Sequence, residues 1–227
     1  MSEKTPILGF SATIKKRINY ALNLRPDSDI LILNSDTIVS RWWLKELKLV
    51  AKSSDEVGTV TAVSNAAGPF SVHTFSSPPS LSEINVVADV LRENAPLVSP
   101  PLPTGHGFCM YIKGELIDDI GVFDSHSFPK GYGEENDFCM RAARRGWKHT
   151  VALRSFVYHH RNVSFGSEKD SLLIHGRKVV DQRYPDYTRL VSESFGNEDF
   201  TKLKHYIFES LMSTGKGEKN IKAKSMI

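Results

Sequence analysis

The chain has 227 residues, 40% of them hydrophobic and 10% aromatic, enough for one sizeable core in an ordinary globular protein. Its net charge of +3 is carried by the last stretch, residues 214–227, where Lys216, Lys219, Lys222 and Lys224 stand against Glu218. The remainder is formally neutral, which argues against a nucleic-acid-binding face, and no run approaches the roughly 18 apolar residues of a membrane span.

Taken in chain order, Ser11 is expected to cap a helix over 12–24, since Ile14, Ile18, Ala21 and Leu22 share one face. "DILILN" (29–34) reads as a buried strand between turn signals. Trp43, Leu44, Leu47, Val50 and Ala51 recur at helical spacing, and "VGTVTAVSN" (57–65) is rich in β-branched strand formers. Helix, strand, helix, strand is the pattern of an α/β sheet with crossover helices. Six of the 11 prolines then fall between Pro78 and Pro103, a wandering connection around one helix at "LSEINVVADVLREN". "GFCMYI" is again a core strand, "KGELIDDIG" a short helix, "GYGEENDFCMRAARRG" a longer one closed by Gly146, and "HTVALRSFVYHH" an extended segment. Ser167 and Asp170 form a capping-box pattern ahead of a last helix that stops before Pro185. Cys109 and Cys139 sit in apolar surroundings as buried free thiols, which fits a reducing, cytoplasmic setting.

In open α/β sheets ligands bind beyond the carboxyl ends of the strands, so residues just after strands are the candidates. Asn34 and Asp36 follow the first strand, where a short carboxylate reaches a hard cation; the same residues also favour ordinary turns. Glu134, Glu135 and Asp137 crowd the first turn of a helix, and carboxylates there complement the helix dipole without any catalytic purpose. Asp137 has Arg141 four residues on and is expected to pair with it, whereas Glu134 and Glu135 have no such partner. His159 and His160 end the long extended segment, as metal ligands or as polar residues at a strand end.

"ILILNSDTIVSRWWLKEL", "GTVTAVSN", "GHGFCMYIKGELIDDIGVFD", "GYGEENDFCMRAARRGW" and "FVYHHRNVSFGSEK", in this order, resemble the family 2 glycosyltransferases, and within them the rhamnosyltransferase-like bacterial branch. The resemblance runs from about Gly9 to Tyr187 and begins almost at the family's "GF" element, without the strands that usually precede it. It implies a GT-A-like (Rossmann-like) α/β fold with a mixed, mostly parallel sheet flanked by helices. Residues 1–213 would be one catalytic domain and 214–227 a polar tail. It further implies an inverting, metal-dependent transfer of a hexose or deoxyhexose from a nucleotide-sugar donor to a saccharide or lipid-linked acceptor, in cell-surface polysaccharide synthesis. By position, Glu135 matches the family's base, and Asp36 and His159 its ligands for Mg²⁺ or Mn²⁺. Asn34, Glu134, Gly105 and His106 match substrate contacts, and Ser164 and Phe165 supply the spacing that selects His159 over His160. The chain is expected in the cytoplasm, peripheral to the inner face of the membrane if it touches one. A sheet without its first strands exposes an edge, so a homo-oligomer or a completing partner chain is expected. A non-catalytic glycan-binding or assembly subunit is the competing reading.

Overall fold

The computed structural model describes residues 10–160, 168–196 and 198–213. Helices α1 (Phe10–Leu24), α2 (Trp43–Ala51), α3 (Leu81–Asn94), α4 (Gly114–Ile120) and α5 (Glu134–Ala143) alternate with strands β1 (Ile30–Leu33), β2 (Thr37–Val39), β3 (Val57–Val63), β4 (Cys109–Ile112) and β5 (Lys148–His159). Three helices, α6 (Glu168–Arg183), α7 (Tyr187–Phe195) and α8 (Glu198–Ser213), complete the described chain. The expected Ser11 cap is not seen: α1 already includes Phe10, and Ser11 is buried inside the first turn. Ser164, Phe165, Ser167 and the 214–227 tail lie outside the described residues.

The five strands form one sheet in the order β1-β4-β3-β5-β2. It is mixed and mainly antiparallel rather than mostly parallel, since only β3 and β5 pair in parallel. The helical crossovers do leave β1, β3 and β5 pointing the same way. β2 and β4 run the other way: β2 because it turns back within a few residues of β1, and β4 because of the proline-rich connection before it. Proline lacks a backbone N–H, and the residue ahead of it is steered to extended conformations. The segment holding Pro96, Pro100, Pro101 and Pro103 therefore runs extended, bridging Leu102 to His149 near the start of β5 and reaching Phe108, whose carbonyl accepts from Asn34 N–H beyond β1. Having already travelled the length of the sheet, the chain can only return through it antiparallel, as β4.

The sheet is packed on both faces. On one side Leu47 and Val50 of α2 and Ile84, Val87 and Leu91 of α3 meet Val60, Ala62, Tyr111 and Phe156. On the other, Ile18 of α1, Leu116 and Ile117 of α4 and Phe138 and Ala142 of α5 meet Ile32, Met110 and Ile112. β3 is the middle strand and is buried throughout, which is why its seven residues carry no charge. β1, in contrast, is an edge strand and only half-buried despite its "ILIL" sequence. A third cluster, Phe128, Met140, Val180, Tyr184 and Tyr187, fastens α6 and α7 to α5.

Candidate active site

The carboxyl ends of β1, β3 and β5 lie at one end of the sheet, and the candidate residues gather there. Asp36 stands between β1 and β2, and the antiparallel pairing of Thr37 with His159 sets it beside the end of β5, with His160 N–H donating to Asp36 C=O. His159 is fixed from three sides. Asn65, just past β3, accepts from His159 N–H at 2.8 Å and donates to its carbonyl at 3.0 Å. The imidazole stacks on Phe108 at 5.4 Å between ring centroids. Its Nδ1 lies 2.9 Å from the Ala66 carbonyl, which can only accept, so Nδ1 carries the hydrogen.

That tautomer turns the Nε2 lone pair toward Asp36 Oδ1 at 3.3 Å, with the Asn34 amide nitrogen at 3.5 Å. A carboxylate oxygen and an imidazole lone pair repel unless a positive charge lies between them. Asp36 and His159 thus set a carboxylate oxygen and an imidazole nitrogen side by side, a pair suited to a cation. Among the described residues no group of three or more His, Cys, Asp or Glu side chains is arranged to hold a metal ion. A divalent ion here would take its remaining ligands from elsewhere; the carboxylate oxygen suits Mg²⁺ or Mn²⁺, whereas an imidazole is the commoner ligand of later transition metals.

The acids of α5 approach from the other side. The segment before them is forced into left-handed backbone at Gly131, Tyr132 and Gly133, with φ of 100°, 66° and 115°. α6 presses on it: a Cβ on Gly176 would lie 1.7 Å from the Tyr132 carbonyl oxygen, so only glycine fits there. Glu135, half-buried, accepts from Gly107 N–H through Oε1 at 2.9 Å. Glu134 is turned inward and only 2% exposed, its Oε2 buried without a hydrogen-bond partner. Burial, then the adjoining Glu135 charge, pushes the Glu134 carboxyl up to about 8.

The 104–108 loop joins the two groups. Thr104 Oγ1 donates to Asn136 at 2.9 Å, Gly105 N–H donates to Cys139 Sγ at 3.2 Å, and Gly107 N–H holds Glu135, so one face of α5 is laced to the loop. His106 N–H donates to Thr61 of β3 at 3.1 Å, and the Phe108 carbonyl holds Asn34 N–H at 2.8 Å. Gly105 is buried with Met110 and Thr61 where a Cβ would go, and the half-buried His106 ring meets Phe108 edge-on. Asn34, Asp36 and His159 are therefore brought together directly. Glu135, Gly105 and His106 join them through one short loop, and Glu134 is next to Glu135 at the start of α5.

Asp137 serves a different purpose. Its buried carboxylate accepts from Arg141 Nε at 2.9 Å, Arg183 Nη1 at 2.7 Å and Tyr184 OH at 2.9 Å. Arg141 also donates to the carbonyls of Ile120 and Val122 past the end of α4. The i,i+4 pair is present, but as one part of a buried clamp between α4, α5 and α6. Asn65 and Gly107 were not singled out for function from the sequence. The signals were an amide directly after a buried strand and a second glycine in "GHG".

No family model matches the chain, and no curated protein matches it. Among solved structures it is similar to "Mannosyltransferase PcManGT from Pyrobaculum calidifontis in complex with GDP-Man and Mn2+", at 13% sequence identity and a TM-score of 0.41, over 90% of this chain and 67% of that one.

Proposed function

We propose that this protein is an inverting glycosyltransferase, moving a sugar from a nucleotide-sugar donor to a hydroxyl of a saccharide or lipid-linked acceptor. The observation that carries the proposal is the 104–108 loop, which holds Glu135 of α5 through Gly107 and meets Asn34 and the His159 ring through Phe108. Transfer with inversion asks for two things. A base must take the acceptor's proton, and negative charge on the departing diphosphate must be offset. Glu135 is the base: its carboxylate keeps Oε2 for the acceptor hydroxyl while Gly107 N–H fixes Oε1. Asp36 and His159 would hold Mg²⁺ or Mn²⁺, whose Lewis acidity stabilises a diphosphate leaving group when bound. Asn34 orients the His159 ring and a donor oxygen. Glu134 keeps its proton at neutral pH and so can both donate to and accept from a sugar hydroxyl. Gly105 and His106 line the acceptor side.

A thermal-shift panel of nucleoside diphosphate sugars, with and without Mn²⁺, tests the reading. One of them is expected to raise the melting temperature only with Mn²⁺ present, and Asp36→Ala to remove that dependence. With the responding donor, Glu135→Gln is expected to lower turnover at least ~100-fold while the donor shift is retained. Saccharide binding with no nucleotide response would instead favour a non-catalytic glycan-binding subunit, and unchanged turnover in Glu135→Gln would remove Glu135 from its role.

A further inference from the structure

The face of α1 turned away from the sheet combines cations with large apolar side chains and carries no acid. α1 contains no acid, and Lys15, Lys16 and Arg17 are all exposed, with Arg25 just past its end. Among the described residues none of these four cations makes an ion pair. Ile14, Ile18 and Leu22 are spent on the core, yet the helix shows a second set of large side chains outward: Tyr20 is 66% exposed and Leu24 65%. Tyr20 and Leu24 are four apart and Lys16 is four before Tyr20, so cation, aromatic ring and aliphatic chain follow one another along one stripe. Beside the stripe a shallow groove of about 450 Å³ is lined by Lys15, Lys16, Asn19, Asn23 and Ser125 and by no carboxylate. The exposed acids nearby, Asp27 and Asp29 after α1 and Glu115, Asp118 and Asp119 of α4, lie outside that lining.

We propose that this face docks the protein on an anionic lipid surface, with Lys15, Lys16 and Arg17 against phosphate headgroups and Tyr20 and Leu24 seated at the headgroup–acyl boundary. An anionic bilayer rewards both halves of the stripe. Cations gain from the negative surface potential, while an exposed leucine and tyrosine gain from leaving water without needing a shaped pocket. A nucleic acid would use the lysines but gives Leu24 nothing to bury against. The groove, with two ammonium groups, two amides and a hydroxyl, accommodates a phosphorylated headgroup beside the helix. The assignment stands apart from the transfer reading, since it uses none of the candidate active-site residues.

The test is co-sedimentation of the full chain with vesicles of phosphatidylcholine alone or with about one third phosphatidylglycerol, at about 0.1 M and 0.5 M NaCl. The expected result is binding to the anionic vesicles only. Lys16→Glu with Arg17→Glu should weaken it about tenfold or more, and Tyr20→Ser with Leu24→Ser several-fold, removing what survives high salt. Lys15→Gln with Lys16→Gln should reproduce the weakening in a helix with no new acid. Circular dichroism shows whether each variant is folded. Replacing Lys216, Lys219, Lys222 and Lys224 by Gln should leave most of the binding. Binding that follows these tail lysines instead, equal binding to neutral vesicles, or indifference to every α1 change would overturn the proposal. So would displacement by duplex DNA combined with indifference to Tyr20→Ser and Leu24→Ser, which would point to a polyanion-binding face.

Discussion

Two carboxyl groups three residues apart on α5 are both removed from water, and they meet opposite company. Asp137, fully buried, receives three donors, two of them guanidinium groups. Glu134, 2% exposed, has an oxygen with no partner and another carboxylate beside it. Burial alone therefore does not say what an acid is for. The Asp137 side faces the seam with α4 and α6, and its donors are supplied by the fold. On the other flank Glu135, Asn136 and Cys139 meet the 104–108 loop, and beside them the Glu134 Oε2 is left without a hydrogen-bond partner among the described residues. One turn of helix is clamped to α4 and α6 on one flank and laced to a loop on the other.

The largest expected effect breaks the first half of that contrast. Asp137→Ala strands Arg141 and Arg183 against a cavity, and removing one partner of a buried ion pair costs about 3–5 kcal/mol, with the lower end apt here because both arginines keep some contact with water. Chemical denaturation should show a loss of about 3 kcal/mol. A change under ~1 kcal/mol would mean that α6 is held by Phe128, Val180 and Tyr184 packing instead.

A smaller effect sharpens the other half. The unfolded chain releases the Glu134 proton near 4.5, whereas the folded protein holds it to about 8. Between those values the folded state binds more protons than the unfolded one, so this group makes stability fall as pH rises, fully so above 8 and not at all below 4.5. Glu134→Gln removes the dependence. The variant should match the parent near pH 4.5 and exceed it increasingly up to about pH 8, with no further gain above that. Unfolding free energies that stay parallel across this range would show that Glu134 is not a desolvated acid.

Much of this was legible in the sequence, and what was not has identifiable causes. α1 to α5, β1, β3, β4 and β5 were marked by apolar periodicity and by turn residues, both local properties. The direction of β4 was not, because it depends on how far a proline-rich connection travels before the chain re-enters the sheet. β2 was hidden because its three residues sit inside the turn signals of "NSDTIVS", yet its ladder with β5 is what sets Asp36 beside His159. Asp137 with Arg141 was readable at four residues' spacing, whereas Arg183 lies 46 residues from Asp137 and enters only through the packing of α6. Asn65 and Gly107 act through amide and backbone geometry, which leaves almost no trace in residue type.

The smallest expected effect on stability is the most discriminating for the acid pair. A Cβ on Gly107 would lie 2.5 Å from Glu135 Oε1, closer than any real contact, so Gly107→Ala must move something. The obstructing atom is the tip of a flexible side chain, and a rotamer change relieves it for about 1 kcal/mol or less. Folding should survive while the carboxylate leaves the Gly107 amide. In the parent protein that amide donates to a carboxylate, and Glu135→Gln should shift its proton resonance upfield as the charge-assisted bond is lost. If Gly107→Ala unfolds the protein, the loop is held by α5 as rigidly as Asp137 holds α6, and the contrast between the two flanks fails. If it folds and turns over as the parent does, Glu135 needs no fixing by Gly107, and the backbone bond is a resting position only. Intact folding with impaired transfer is the outcome expected if the flank facing the loop is held for chemistry.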